Sequence, residues 1–187
     1  ARQLERQGLV TDDLWLRLYG RLNPGKTAIK AGDYEVQPGM TPLSLLESMV
    51  QGDVKLWSIQ FIEGKTFSDM RSVLAGNEQL KKVTTDWSDE RIMAAVGAEG
   101  QHPEGWFYPD TYLFSSSETD LDIYKRAYGR MVSVLDEEWQ DRAEGLPYQS
   151  SYEALIMASI VERETGVPSE REQVAGVFVR RLQTGMR

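Results

Sequence analysis

The chain has 187 residues, enough for one medium domain or two small ones; 41% hydrophobic and 27% charged residues are ordinary proportions for a globular protein. A net charge of −8 supplies none of the basic surface that nucleic-acid binding requires. There is no Cys and one His, His102, which excludes disulfides, thiolate catalysis, zinc–thiolate sites and any multi-His metal site within one chain.

No apolar run approaches the roughly 20 residues needed to cross a bilayer, and no signal peptide is visible. The chain opens in a helical pattern at Ala1–Glu5 and stops at Thr184–Arg187 without a domain boundary. Both ends are therefore expected to be cuts in a longer protein. Residues 1–22 read as helical, with Leu14, Leu16, Leu18 and Tyr19 as apolar positions, and Asn23-Pro24-Gly25 as a turn. Gly32–Val36 alternates like a strand. Thr41 then caps a helix that starts at Pro42 and ends at Gly52.

The same unit recurs. Leu56–Ile62 reads as a strand, and Gly64 and Thr66 follow Gly39 and Thr41 at the same spacing. Thr66 and Asp69 form a capping-box pattern for the next helix. Two strand–Gly-x-Thr–helix units over residues 32–76 predict a small α+β module. Residues 77–100 read as a helical linker. Pro103–Tyr112 is aromatic, rich in turn residues and irregular. Thr119 caps a long helix to about residue 143, Ser151 opens another that runs to Gly166, and Ser169–Glu172 forms a capping-box pattern for the last. The fold class expected is α+β, with domains over 1–76 and 77–187, the second nearly all helix.

The helix over 152–165 holds the candidate chemistry. Ala154, Met157, Ala158 and Val161 centre its apolar face, and Glu164 falls beside that stripe, three residues after Val161. Glu164 also falls in the last turn, where the helix dipole is negative. Partial burial and that dipole both disfavour a carboxylate, the setting of a general acid near neutral pH. The plainer reading makes Glu164 a boundary residue paired with Arg171, and Glu162 and Arg163 solvated charges.

Glu104–Tyr112 has two readings as well. Trp106, Tyr108 and their neighbours could stack on sugar rings, with Glu104 and Asp110 supplying hydrogen bonds. Alternatively they plug a junction, and composition favours that structural role for most of them. His102 reads as a surface residue and Glu137-Glu138 as a solvated face. The Gly-x-Thr turns lack the Gly-rich run and Lys-Ser/Thr of a phosphate loop.

Two stretches carry a resemblance. Residues 153–187, with Ala158-Ser159-Ile160-Val161-Glu162-Arg163-Glu164-Thr165-Gly166 at their centre, resemble the active-site region of MltG-like (YceG-like) endolytic murein transglycosylases. Glu104-Gly105-Trp106-Phe107-Tyr108-Pro109-Asp110-Thr111-Tyr112 resembles that family's other long signature. The resemblance implies that Glu164 is the catalytic acid. Glu104, Trp106, Tyr108, Asp110, Thr165 and Arg171 are the substrate-binding residues expected with it. Tyr34–Thr41 resembles a LysM strand and turn, so the first domain is expected to be LysM-like and the second a truncated lytic transglycosylase domain.

The reaction implied is cleavage of the β-1,4 bond between N-acetylmuramic acid and N-acetylglucosamine, giving 1,6-anhydro ends. It requires no metal or cofactor, and the muramyl 6-hydroxyl serves as nucleophile. The implied setting is the periplasmic face of the bacterial inner membrane, held by a membrane segment absent here. Nascent peptidoglycan strands are the substrate, and peptidoglycan synthases are possible neighbours. The family usually continues past Gly-Met-Arg, so part of the cleft is expected to be missing and Arg180 stands where Asn is frequent. A non-catalytic glycan-binding module is the alternative. An older family label, aminodeoxychorismate lyase, needs a Lys for pyridoxal phosphate, and none follows Lys125.

Overall fold

A computed structural model of the chain describes residues 14–23, 28–30 and 32–186. Residues 1–13 of the expected helical stretch and the Pro24-Gly25 turn lie outside the described residues. The elements in order are α1 (Leu14–Leu22), α2 (Pro42–Gln51), β1 (Trp57–Gln60), α3 (Phe67–Gly76), α4 (Asp89–Ala95), β2 (Thr111–Phe114), α5 (Asp120–Gln140), α6 (Ser151–Glu164) and α7 (Arg171–Gln183), the last preceded by a 3-10 turn at Pro168–Glu170. β1 and β2 pair as a two-stranded sheet. The fold is thus mixed, helices with a small sheet, as the α+β expectation required. Among the described residues no helix is long and apolar enough to cross a membrane.

The chain forms two compact units: residues 1–57 with 113–118, and residues 58–112 with 119–187. The first has a small core. Leu46 is buried, and Tyr19 of α1 and Val50 of α2 pack against it. α2 begins as its sequence dictates: Thr41 accepts from the Ser44 amide, Pro42 opens the first turn, and Gly52 closes the helix at φ 81°. Residues 33–36 do not form the expected strand. Their neighbourhood is tied by single bonds instead, Lys55 N–H to the Asp33 carbonyl at 2.7 Å and the Tyr34 hydroxyl to the Lys30 carbonyl at 2.7 Å. Alternation without a partner edge gives no ladder. The first strand–helix repeat falls in the first unit, and the second, apart from Leu56 and Trp57, in the second.

The second unit holds most of the core. Phe61, Phe67, Phe107, Tyr112 and Tyr124 are all at least nine-tenths buried, and Phe107 stacks on Phe67 at 4.8 Å and meets Tyr124 edge-on at 5.4 Å. α4 and α6 pack on α5, and α7 packs on α6. Thr66–Asp69 and Thr119–Asp122 form the reciprocal caps that their spacing predicts.

Two expectations are corrected here. The helical linker over 77–100 reduces to the seven residues of α4. α6 opens at Ser151 as expected, with Ser150 as the N-cap accepting from the Glu153 amide. The Ser169–Glu172 box does not form, and α7 starts without a side-chain cap. Ser169 lies inside the 3-10 turn and the N-cap is Glu170, whose carboxylate accepts from the Thr165 hydroxyl at 2.8 Å.

Candidate active-site groove

The second unit contains an open groove of about 410 Å³. One wall is α6, which presents Tyr152, Leu155, Ile156, Ser159, Ile160, Glu162 and Arg163. The facing residues come from the β1–α3 turn, Gly64 to Phe67, and from the aromatic loop, with Pro103, Glu104, Gly105, Phe107 and Pro109. α6 therefore has two working sides. Met157 and Val161 turn inward and are buried, while Ile156 and Ile160 stay 46% and 36% exposed along the groove. The 152, 155/156, 159, 163 spacing is itself a helical stripe, a signal that the sequence carries beside the stronger buried one.

The aromatic loop reaches α6 through close backbone approach. Gly105 has φ 84°, and a Cβ there would sit 3.2 Å from Leu155 Cδ2, so both conformation and space call for glycine. The next residue, Trp106, lies flat on Tyr152, with ring centroids 5.2 Å apart and planes 2° apart, and touches Tyr128 at 5.9 Å.

Glu104 lines the groove, and its carboxylate accepts from the Phe67 amide at 3.1 and 3.2 Å. It thereby satisfies a free N–H at the start of α3, where the helix dipole favours negative charge. His102 is exposed, and its Nδ1 accepts from the Glu104 amide at 3.3 Å.

Tyr108 is anchored from both sides: its amide donates to the Ala127 carbonyl at 3.0 Å, and its carbonyl accepts from the Tyr112 hydroxyl at 2.6 Å. Burial, then the charge of Asp110, pushes the Tyr112 phenol up to about 12, so it stays protonated and donates. Asp110 is exposed, and its carbonyl accepts from Phe61 N–H at 2.9 Å. Trp106, Tyr108 and Asp110 are absent from the groove lining; Glu104 is the one member of that loop set that the groove includes. Trp106, Tyr108 and Tyr112 make packing and hydrogen-bond contacts within the unit.

Glu164 is the last residue of α6 and is exposed. The expected partial burial does not occur. Thr165, four residues after Val161, takes the inward position and is 7% exposed, and this turns Glu164 outward. Nor does Glu164 line the groove; Glu162 does, half-buried, with its carboxylate 3.0 Å from Arg171. The solvated-charge reading of Glu162 is therefore corrected, and the partner of Arg171 is Glu162, two residues before the one expected. The Thr165 hydroxyl is engaged internally, donating to Glu170 and accepting from the Val167 amide at 3.1 Å.

The groove thus gathers Glu104, Lys65, Glu162 and Arg163 around an apolar floor. Glu164, Thr165 and Arg171 lie beyond one end of the stretch of α6 that lines it. Sequence reasoning missed Glu162, Lys65 and the Tyr152–Ile156 side of α6.

The YceG-like family model matches residues 1–187. The chain is 24% identical over 203 residues to a Bacillus subtilis protein named endolytic murein transglycosylase, covering 100% of this chain and 56% of that one. It is 26% identical over 220 residues to a protein of the same name from Streptococcus pneumoniae, covering 98% of this chain and 38% of that one. The chain thus spans about half the length, or less, of these curated relatives. A Listeria monocytogenes crystal structure described as a yceG-like protein superposes with a TM-score of 0.53 at 24% identity, covering 98% of this chain and 65% of that one; it supports the fold. With the family model matching from the first residue to the last, the chain belongs to the YceG-like family.

Proposed function

We propose that this protein is a murein lytic transglycosylase, cutting the bond between N-acetylmuramic acid and N-acetylglucosamine in nascent glycan strands and leaving 1,6-anhydro-muramyl ends. The observation that carries the reading is the family match over all 187 residues, whose curated relatives bear the name endolytic murein transglycosylase. The groove supports it, since an apolar and aromatic floor with charged groups at the rim suits a sugar polymer. In this reading Glu164 protonates the leaving glycosidic oxygen. It then takes the proton of the muramyl 6-hydroxyl as that oxygen attacks the anomeric carbon. The substrate supplies the nucleophile, so one carboxylate suffices where glycoside hydrolases typically use two. Glu164 is exposed in the described unit, and the remaining length of the longer relatives is where a second wall over it would come from. The protein would act outside the cytoplasm, anchored to the membrane and near the peptidoglycan synthases.

A second assignment of the acid has its own support: Glu162, not Glu164, lines the groove. The LysM-like reading of the N-terminal part rests on Tyr34–Thr41; the capped helix that follows is formed and the strand before it is not.

The test is digestion of purified glycan strands by the complete protein, with products identified by mass spectrometry. Anhydro-muramyl ends should form, vanish with Glu164→Gln and persist at reduced level with Glu162→Gln. The opposite pattern transfers the role to Glu162. Glycan binding without any cleavage would make the protein a binding module and overturn the enzymatic reading.

A further inference from the structure

Of the described residues that line the groove, three are aromatic, and two of these, Phe67 and Phe107, are each 3% exposed. Tyr152, in the first turn of α6, is half-buried and is the ring that the groove can offer to a ligand. Its one ring partner among the described residues is Trp106, 5.2 Å away with planes 2° apart. Trp106 is not itself part of the lining. The side of Tyr152 that meets the groove is therefore the side that Trp106 leaves uncovered.

The ring is also held in place. Trp106 touches Tyr128 of α5 at 5.9 Å, so the backing ring is itself anchored, and the Tyr152 hydroxyl lies 3.5 Å from the Glu104 carbonyl. A side chain fixed in this way has little freedom left to lose when a ligand settles on it. Leu155 and Ile156, three and four residues further along the helix, continue the same stripe and also line the groove. A β-linked pyranose carries axial C–H bonds on its ring faces and hydroxyls around its edge. The face of an aromatic ring carries the negative side of its quadrupole and attracts such polarised C–H groups. An aromatic ring flanked by aliphatic side chains in an open groove thus suits a sugar face, with the hydroxyl edge left in water.

We propose that Tyr152 is the stacking platform for a sugar ring of the glycan in this groove, with Trp106 as the positioning residue behind it. The inference rests on the glycan reading given above. It transfers the stacking role expected of Trp106 to the ring that Trp106 supports.

The experiment is steady-state kinetics of the complete protein on purified glycan strands. Tyr152→Leu keeps apolar bulk and loses the ring. It should raise KM about fivefold with kcat within about twofold, as loss of ground-state binding does. Tyr152→Phe keeps the ring and should match wild type in both constants. Trp106→Leu should raise KM too, and add nothing in the Tyr152→Leu background; an additive rise would overturn the positioning role. An unchanged KM for Tyr152→Leu, or an equal rise for Tyr152→Phe, would overturn the platform and leave the enzymatic reading standing. No products from wild type would overturn the enzymatic reading instead. The platform is then decided by NMR, as it is if Tyr152→Leu does not fold. In wild-type protein labelled at tyrosine rings, the ring signal that is missing from Tyr152→Phe should show NOEs to sugar C–H protons of an added tetrasaccharide of alternating N-acetylglucosamine and N-acetylmuramic acid. Absence of those NOEs would overturn the proposal.

Discussion

The Thr165 hydroxyl donates to the Glu170 carboxylate at 2.8 Å across the turn that joins α6 to α7. Because Thr165 is buried and also accepts from Val167 N–H, this one side chain fixes the backbone that follows Glu164. Thr165→Val keeps the shape and deletes both bonds. It should lower unfolding stability by about 1–3 kcal/mol, read as a shift of the urea midpoint. Glu170→Gln retains an acceptor oxygen and should cost less than Glu170→Ala. Equal losses for those two variants would mean that the contact is incidental.

Glu104 joins the aromatic loop to the start of α3 by accepting from the Phe67 amide. Glu104→Ala leaves that N–H without its partner and should cost about 0.5–2 kcal/mol, as loss of a helix cap does. The effect should appear in hydrogen exchange as faster exchange of the Phe67 amide, with amides late in α5 unchanged. Uniform acceleration across the unit would show a general loss of packing instead.

Trp106 and Tyr152 stack with planes 2° apart, the contact by which the loop grips α6. A double-mutant cycle with Trp106→Ala and Tyr152→Ala should give a coupling of about 0.5–1.5 kcal/mol. Additive losses would dissociate the loop from the helix energetically.

The side-chain hydroxyl, then the backbone amide, of Thr119 holds the Asp122 carboxyl below its ordinary value of 3.8. With the folded-state value below the unfolded one, this cap stabilises the protein fully above pH about 4 and is lost as pH falls through the lowered folded value. Wild type should therefore exceed Asp122→Asn in stability at neutral pH, by a small margin because the side chain is largely solvated, and the margin should close in acid. Thr66–Asp69 follows the same rule, since Asp69 is lowered by the backbone and side-chain bonds from Thr66. A margin constant from pH 7 to pH 2 would contradict the assignment.

The caps at Thr41, Thr66 and Thr119 were legible because a cap is local: three or four consecutive residues contain both donor and acceptor. So was α6 itself, whose inward stripe of Met157 and Val161 follows from 3.6-residue periodicity. The 32–36 strand was misread because alternation specifies a face, and a strand exists only if another edge bonds to it. The Ser169–Glu172 box failed for a related reason. A 3-10 turn at Pro168–Glu170 runs directly into α7, so Ser169 sits inside that turn and not at the N-cap, and local pattern does not place that boundary.

The sequence alone determined the family, the helical character of the chain after residue 119, and the two stretches from which the groove would be drawn, since all three rest on residue identity and near-neighbour spacing. It could not determine which of two glutamates on one helix meets that groove. Glu162 and Glu164 are about 160° apart around α6 on the ideal 100°-per-residue wheel, and sequence fixes only that separation. The absolute rotation was decided by Thr165 burying itself beneath the turn, by Gly105 letting the aromatic loop close on Leu155, and by Arg171 reaching Glu162. Gly105 and Leu155 are fifty residues apart, and the contacts of Thr165 and Arg171 cross the turn after α6; packing selects which of them form.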